Sequence, residues 1–398
     1  MMKTMRLRRQ RTQGSRVATA TLLAVGAVCL PLAAAPHADA ARGKGRDTQR
    51  VHRGGQGIVL GTLNVDNQAY AVAVDSKTGH AFVAGNSSVT MLDSTSSSVV
   101  TTVPGGLGTD PSGVGTAVAV NTPGSRAFVA RFDNNSVDVL DTATGDIVRS
   151  VAVGRGPGSV TVSARTNHVF VTNFSDDSVT LLDARTGQAQ RGIAVGQAPV
   201  AAALDTRTGR VFVANYGSGT VSVLDAQTGA PRATTTVGGG PEAVAVDELT
   251  RRVFVASYDA GTVSVLDSTT GRLVTTTTVG VGPIALAVDA LTGQVIVVNL
   301  IGNSVSILNA GTGALQATVP VNSYPSAVGL NVRTARAYIA NAGSNNVSII
   351  DLKRRAVART VGVGSYPSAI AVDETAGRAF VVNQQDGTVS IIDAASGS

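Results

Sequence analysis

Chemistry in a protein of 398 residues usually rests on histidines, cysteines or clustered carboxylates, and here these are few. Only His80 and His168 fall within the regular part of the chain, each just before an apolar run (GHAF, NHVF). Arg210, Arg252 and Arg378 occupy the matching places elsewhere, so these histidines are expected on exposed turns rather than as a base or a metal ligand. Aspartates recur where strands end, which points to turn capping and away from a catalytic acid. Asp133-Asn-Asn and Asp176-Asp177 lack the alternating oxygen spacing and closing Glu of a calcium loop. No GxSxG elbow and no zinc-ligand spacing occurs. The expectation is therefore no catalytic residue, no metal and no cofactor.

What remains is recognition chemistry. Phe132, Phe174, Tyr216 and Tyr258 recur at a spacing of 42 residues. Tyr324 and Tyr366 precede prolines, and Arg131 and Arg155 bring charge nearby. Aromatic and arginine side chains on loops of one face suit a ligand with apolar and anionic groups. The plainer alternative is that the rings pack over the scaffold or fill gaps in it.

The scaffold is written in the same period. The segment from 241 to 280 contains four short apolar or β-branched runs separated by turns. The run 243–247 is Ala and Val on both faces, so it should be buried on both sides. The run 262–267 alternates, as a half-covered strand would, and 273–279 is mostly threonine, suited to a wet rim. Residues closing the first run stand at Asn121, Ser163, Asp205, Asp247, Asp289, Asn331 and Asp373, always 42 apart. Those closing the third stand at Asp141, Asp183, Asp225, Asp267, Asn309, Asp351 and Asp393; Asp75 and Asp93 mark one earlier copy. Tight hairpins with glycine, as in Asp267-Ser-Thr-Thr-Gly271, make antiparallel meanders. Meanders repeated at this period form an all-β fold, a β-propeller of four-stranded blades.

The second run of each unit reads Val169-Phe-Val-Thr-Asn173, Val211-Phe-Val-Ala-Asn215, Val295-Ile-Val-Val-Asn299 or Ala337-Tyr-Ile-Ala-Asn341. These units resemble the YVTN family of β-propeller repeats, the YncE-like proteins. The resemblance implies a propeller used as a surface, binding or enzyme-associated domain. Seven blades is the commoner number in that family, whereas this chain counts eight. The asparagine is replaced at Gly85, Arg131 and Ser257, so it does not form a ring of ligands. With no Trp, the chain departs from WD40 repeats and from the tryptophan-marked quinone-dependent dehydrogenases.

Three domains are expected: a signal peptide at 1–40, a basic Gly/Arg-rich linker at 41–56, and the propeller at 57–398. The start has Lys3, Arg6, Arg8, Arg9, Arg11 and Arg16, an apolar core over 17–32, and a small-x-small site at Ala38-Asp39-Ala40. Arg8-Arg9 lacks the apolar residue that a twin-arginine signal would place after it. Cys29 is the only cysteine, and cleavage after Ala40 would remove it. The formal charge of +6 belongs to these first segments, because residues from 57 onward carry 21 basic and 24 acidic side chains. Nucleic acid is thus not the expected partner of the propeller, and aromatic content of 4% offers no stacking platform.

Two irregularities remain. Residues 57–65 are strand-like and precede the first unit, while the last unit stops after its third run. An N-terminal strand is expected to complete the last blade and close the ring. Residues 103–116, rich in glycine, contain a six-residue insertion between blades one and two, read as a longer loop. The resulting expectation is a secreted or cell-surface, monomeric, non-enzymatic scaffold without a membrane span. Its ligand would be a protein, a cell-envelope polymer or a small molecule. The alternative is a propeller enzyme of the lactonase or lyase kind.

Overall fold

The computed structural model describes residues 59–66, 68–104 and 117–395. The expected signal (1–40), the linker (41–56) and most of the insertion (105–116) lie outside the described residues.

Eight four-stranded antiparallel sheets form, one per sequence unit, which settles eight blades rather than seven. Blade five consists of Pro241–Asp247, Arg252–Ser257, Thr262–Asp267 and Leu273–Thr278. Each first strand packs against the first strands of the neighbouring blades, so these strands line the axis. Ala and Val are the residues small enough for that crowded position. The threonine-rich fourth strand alternates exposed with half-buried positions at the rim. The third strand departs from expectation: Ser264 is buried along with Val263 and Val265, because a neighbouring blade covers each face.

Seams between blades form the core. Phe254 of blade five, fully buried, packs with Leu286, Val295, Val297 and Leu308 of blade six. Phe82, Phe128, Phe170, Phe212, Tyr338 and Phe380 repeat that position. Burying each ring contributes about 1.5–3 kcal/mol, so the ring of blades is held by repeated aromatic plugs.

Turns behave as their residues dictate. Asp267 Oδ1 accepts from the backbone N–H groups of Thr269 and Thr270 at 3.1 and 2.8 Å, and Gly271 takes the required positive φ of 74°. The two histidines do not stand on exposed turns. His80 Nδ1 lies 2.8 Å from the Thr142 carbonyl, and His168, buried, lies 3.0 Å from the Ala226 carbonyl. Each reaches into the next blade, as Gln294 does to the Leu352 carbonyl at 3.2 Å. The hairpin carbonyl of one blade needs a donor from the preceding blade, and an imidazole is long enough to supply it.

The ring closes through its ends. Val59–Asn64 pairs antiparallel with Thr388–Asp393, joining Leu63 to Val389 and Asn64 to Thr388. Blade eight is therefore built from both ends of the described chain.

Candidate functional site: the loop face over blades four to seven

Fourth-to-first connections and second-to-third loops share one face. They are braced by the asparagine that ends the second strand. Asn215 Nδ2 donates to Thr220 Oγ1 and Ser222 Oγ, both at 3.0 Å. Above it, a Cβ added at Gly196 would stand 2.7 Å from Asn215 Cγ, so glycine is needed for that close approach. Asn173, Asn299, Asn341 and Asn383 repeat the brace. The Asn of the repeat is thus a structural member.

Blade two replaces the brace with a buried ion pair. Arg131 Nε donates to Asp138 Oδ2 at 2.9 Å, and its Nη1 donates to the Gly85 carbonyl at 2.7 Å. Arg131 is only 4% exposed, so it does not offer charge to the loop face as its sequence position had suggested. Arg155 does stand exposed there, paired to Asp176 at 2.5 Å.

The aromatic residues lie across the seams, half-buried. A Cβ on Gly156 would stand 3.0 Å from the Phe132 ring; Gly240 meets Tyr216 at 3.1 Å and Gly282 meets Tyr258 at 3.0 Å. Each ring therefore covers the positive-φ residue that opens the next blade. Phe174 and Tyr216 both pack against the cluster around Val200 and Val221. Where the ring slot holds Leu300 or Ala342, the arrangement inverts. The positive-φ position is then tyrosine itself, Tyr324 at 52° and Tyr366 at 56°. Left-handed backbone is unfavourable for such residues, so these two rings are placed against a local cost. Tyr324 is 49% exposed, while Tyr366 is half-buried.

Beside these rings is a group the sequence reading passed over. The inner strand of each regular blade carries a bulge at its second residue, and in blade five that residue is Glu242, skipped between Pro241 and Ala243. It is 3% exposed, and neither carboxyl oxygen has a hydrogen-bond partner. Burial, followed by the nearby Asp259 charge, pushes its carboxyl up to about 8. Asp259, exposed, follows Tyr258 on the loop, and its charge acts on the Tyr216 hydroxyl. Its Oδ2 would lie 2.5 Å from a Cβ on Gly240, so Asp259 and Tyr216 converge above bare backbone. Burial and the two carboxylates together raise the Tyr216 and Tyr258 hydroxyls. The signal in the sequence was comparative. In the sequence the matching positions hold Tyr70, Thr116, Gly158, Val200, Ile284, Ser326 and Ser368, and only 242 is ionisable near neutrality.

An apolar strip continues from this cluster. Val281 is 63% exposed and Ile301 43%, held together by the Gly302 N–H donating to the Val281 carbonyl at 2.9 Å. Next along the face, the Tyr324 N–H donates to Asn303 Oδ1 at 2.8 Å. Among the described residues, no group of three or more His, Cys, Asp or Glu gathers as a metal set, and no helix is long and apolar enough to cross a membrane.

The sequence matches the family profile described as outer membrane protein assembly factor BamB, over residues 85–280 and 198–398. No curated protein matches it. Among solved structures, BamB from Moraxella catarrhalis is 19% identical with a TM-score of 0.65, covering 84% of this chain and 99% of that one. Dihydro-heme d1 dehydrogenase NirN, in complex with DHE, is 15% identical with a TM-score of 0.65, covering 82% and 71%. Hydrazine synthase of Kuenenia stuttgartiensis is 18% identical with a TM-score of 0.59, covering 70% and 95%. At such identities these likenesses establish the propeller fold.

Proposed function

Since the chain belongs to the family described as outer membrane protein assembly factor BamB, we propose that it is an extracytoplasmic, non-enzymatic propeller that holds a protein partner on the loop face of blades four to seven. Within that family its units are of the YVTN, YncE-like type, supported by Val211-Phe-Val-Ala-Asn215 and its repeats. Export is supported by the basic and apolar start that ends at Ala38-Asp39-Ala40.

The observation that carries the reading is the strip of Val281, Ile301 and Tyr324, exposed on successive loops of one face beside the half-buried rings. Apolar side chains grouped on loops of one face are what a protein interface leaves uncovered. A photo-crosslinking residue at Ile301 should trap one discrete adduct in cells. The same residue at Leu291, exposed on the opposite face at a first-to-second-strand turn, should not. Equal labelling from both positions, or none from either, overturns the reading.

Glu242 favours a second reading, a lactonase- or lyase-like enzyme, because a carboxyl raised to about 8 could act as a base near neutrality. Against it, the group is 3% exposed. A reaction lost on Glu242→Gln, in a folded protein, would support that alternative.

A further inference from the structure

We propose that the seam between blades four and five receives a lysine or arginine side chain from the partner, with Asp259 and the Tyr216 ring in contact, Tyr258 beside them at the next seam and Glu242 beneath as a buried carboxyl without a hydrogen-bond partner. This deepens the partner-binding reading and rests on it.

Glu242 is buried without a hydrogen-bond donor, and no ion pair among the described residues engages Glu242 or Asp259. A buried carboxylate without a donor or cation is costly, so a fold that keeps one leaves it for a ligand or a reaction. Two blades earlier, the equivalent connection brings its own cation: Arg155 reaches Asp176. The residue in Arg155's place here is Gly239, within Gly238-Gly239-Gly240. A Cβ on Gly239 would come only to 3.7 Å from Asp259, in ordinary contact, so sterics do not demand the glycine. The connection that supplies a guanidinium at blade three thus supplies open space at blade five, above two carboxyl groups.

The cation is organic rather than metallic. Calcium takes six to eight oxygens, and this cluster offers two carboxylates and two phenols. Tyrosine faces instead attract ammonium and guanidinium groups. Val281 and Ile301, exposed at the next seam, extend the site for an apolar residue on the same segment. Binding also draws a proton from Glu242, whose carboxyl is raised to about 8. Affinity should therefore rise between pH 7 and 9, with Asp259, Tyr216 and Tyr258 as the facing titratable groups.

The test uses the full chain with ¹³C-labelled tyrosine, ethylguanidinium chloride as probe and neutral ethylurea as its isostere. Two of the six tyrosines should shift saturably with ethylguanidinium and not with ethylurea. Asp259→Asn should weaken binding at least tenfold, and Gly239→Arg should abolish it by filling the site internally. Glu242→Gln, which removes the titrating group, should erase the affinity rise from pH 7 to 9, a readout that a merely structural role would not move. Equal shifts with ethylurea, saturation by calcium chloride at lower concentration, or no effect of Asp259→Asn each overturn the proposal. Saturable guanidinium binding without any adduct from Ile301 would sink the partner-binding reading while leaving the cation site intact.

Discussion

Replacing Glu242 by glutamine should change how stability depends on pH. The folded protein raises this carboxyl from 4.5 to about 8, chiefly by burial. At about 1.4 kcal/mol per unit, that difference amounts to roughly 5 kcal/mol, an upper bound because relaxation of the surroundings reduces it. The sign follows from which state holds the proton more tightly. Between 4.5 and 8 the folded state does, so folding is favoured at low pH and the full penalty applies above 8. Wild-type unfolding free energy should therefore decline across that window, and Glu242→Gln should lack this component. The glutamine amide also enters without partners, which costs about 1–3 kcal/mol at every pH, so the slope rather than the absolute value is diagnostic. Urea titrations followed by circular dichroism at half-unit pH steps, run on both proteins, measure it. Parallel profiles would show that Glu242 is ionised and solvated in the folded state and would refute the argument.

Arg131→Ala should cost about 3–5 kcal/mol by stranding Asp138 in the core. The paired change Arg131→Asn with Asp138→Ser, which recreates the Asn215–Ser222 arrangement of blade four, should recover most of that loss in thermal melts. His168→Ala should lower stability by about 1–3 kcal/mol through the unsatisfied Ala226 carbonyl, yet leave partner crosslinking at Ile301 unchanged.

Fold and site were legible to different degrees for a physical reason. A blade is specified by periodic constraints, small residues at the axis, aspartate in the hairpins and glycine at close approaches, and each recurs every 42 residues. Periodicity announces these constraints without any structure, including the strand that completes blade eight. The site is specified by departures from the period, and a departure is visible only after the slots are aligned. Phe132 and Tyr216 stood out because aromatic residues are rare here. Glu242 did not, because it follows a proline at the start of a strand that already ends in the repeated aspartate, Asp247. Position alone misled for Arg131, which ends the second strand and turns inward, and for His168, which reaches a neighbouring blade. Neither orientation is encoded locally; both are set by what the adjacent blade leaves unpaired.

The paired ends of blade eight also order events in time. Val59–Asn64 is made first among the described strands, yet its partner Thr388–Asp393 is made last. Seven blades can assemble as local hairpins while the chain emerges, but the seam waits for the whole length. Closing so long a loop is the slow step that sequence separation imposes. Until then the 388–393 strand presents a bare hydrogen-bonding edge, the surface most prone to capture by another chain. A circular permutant that begins at blade one and carries 59–64 after residue 395 would make every blade local, and the late, edge-exposed intermediate would vanish from its refolding.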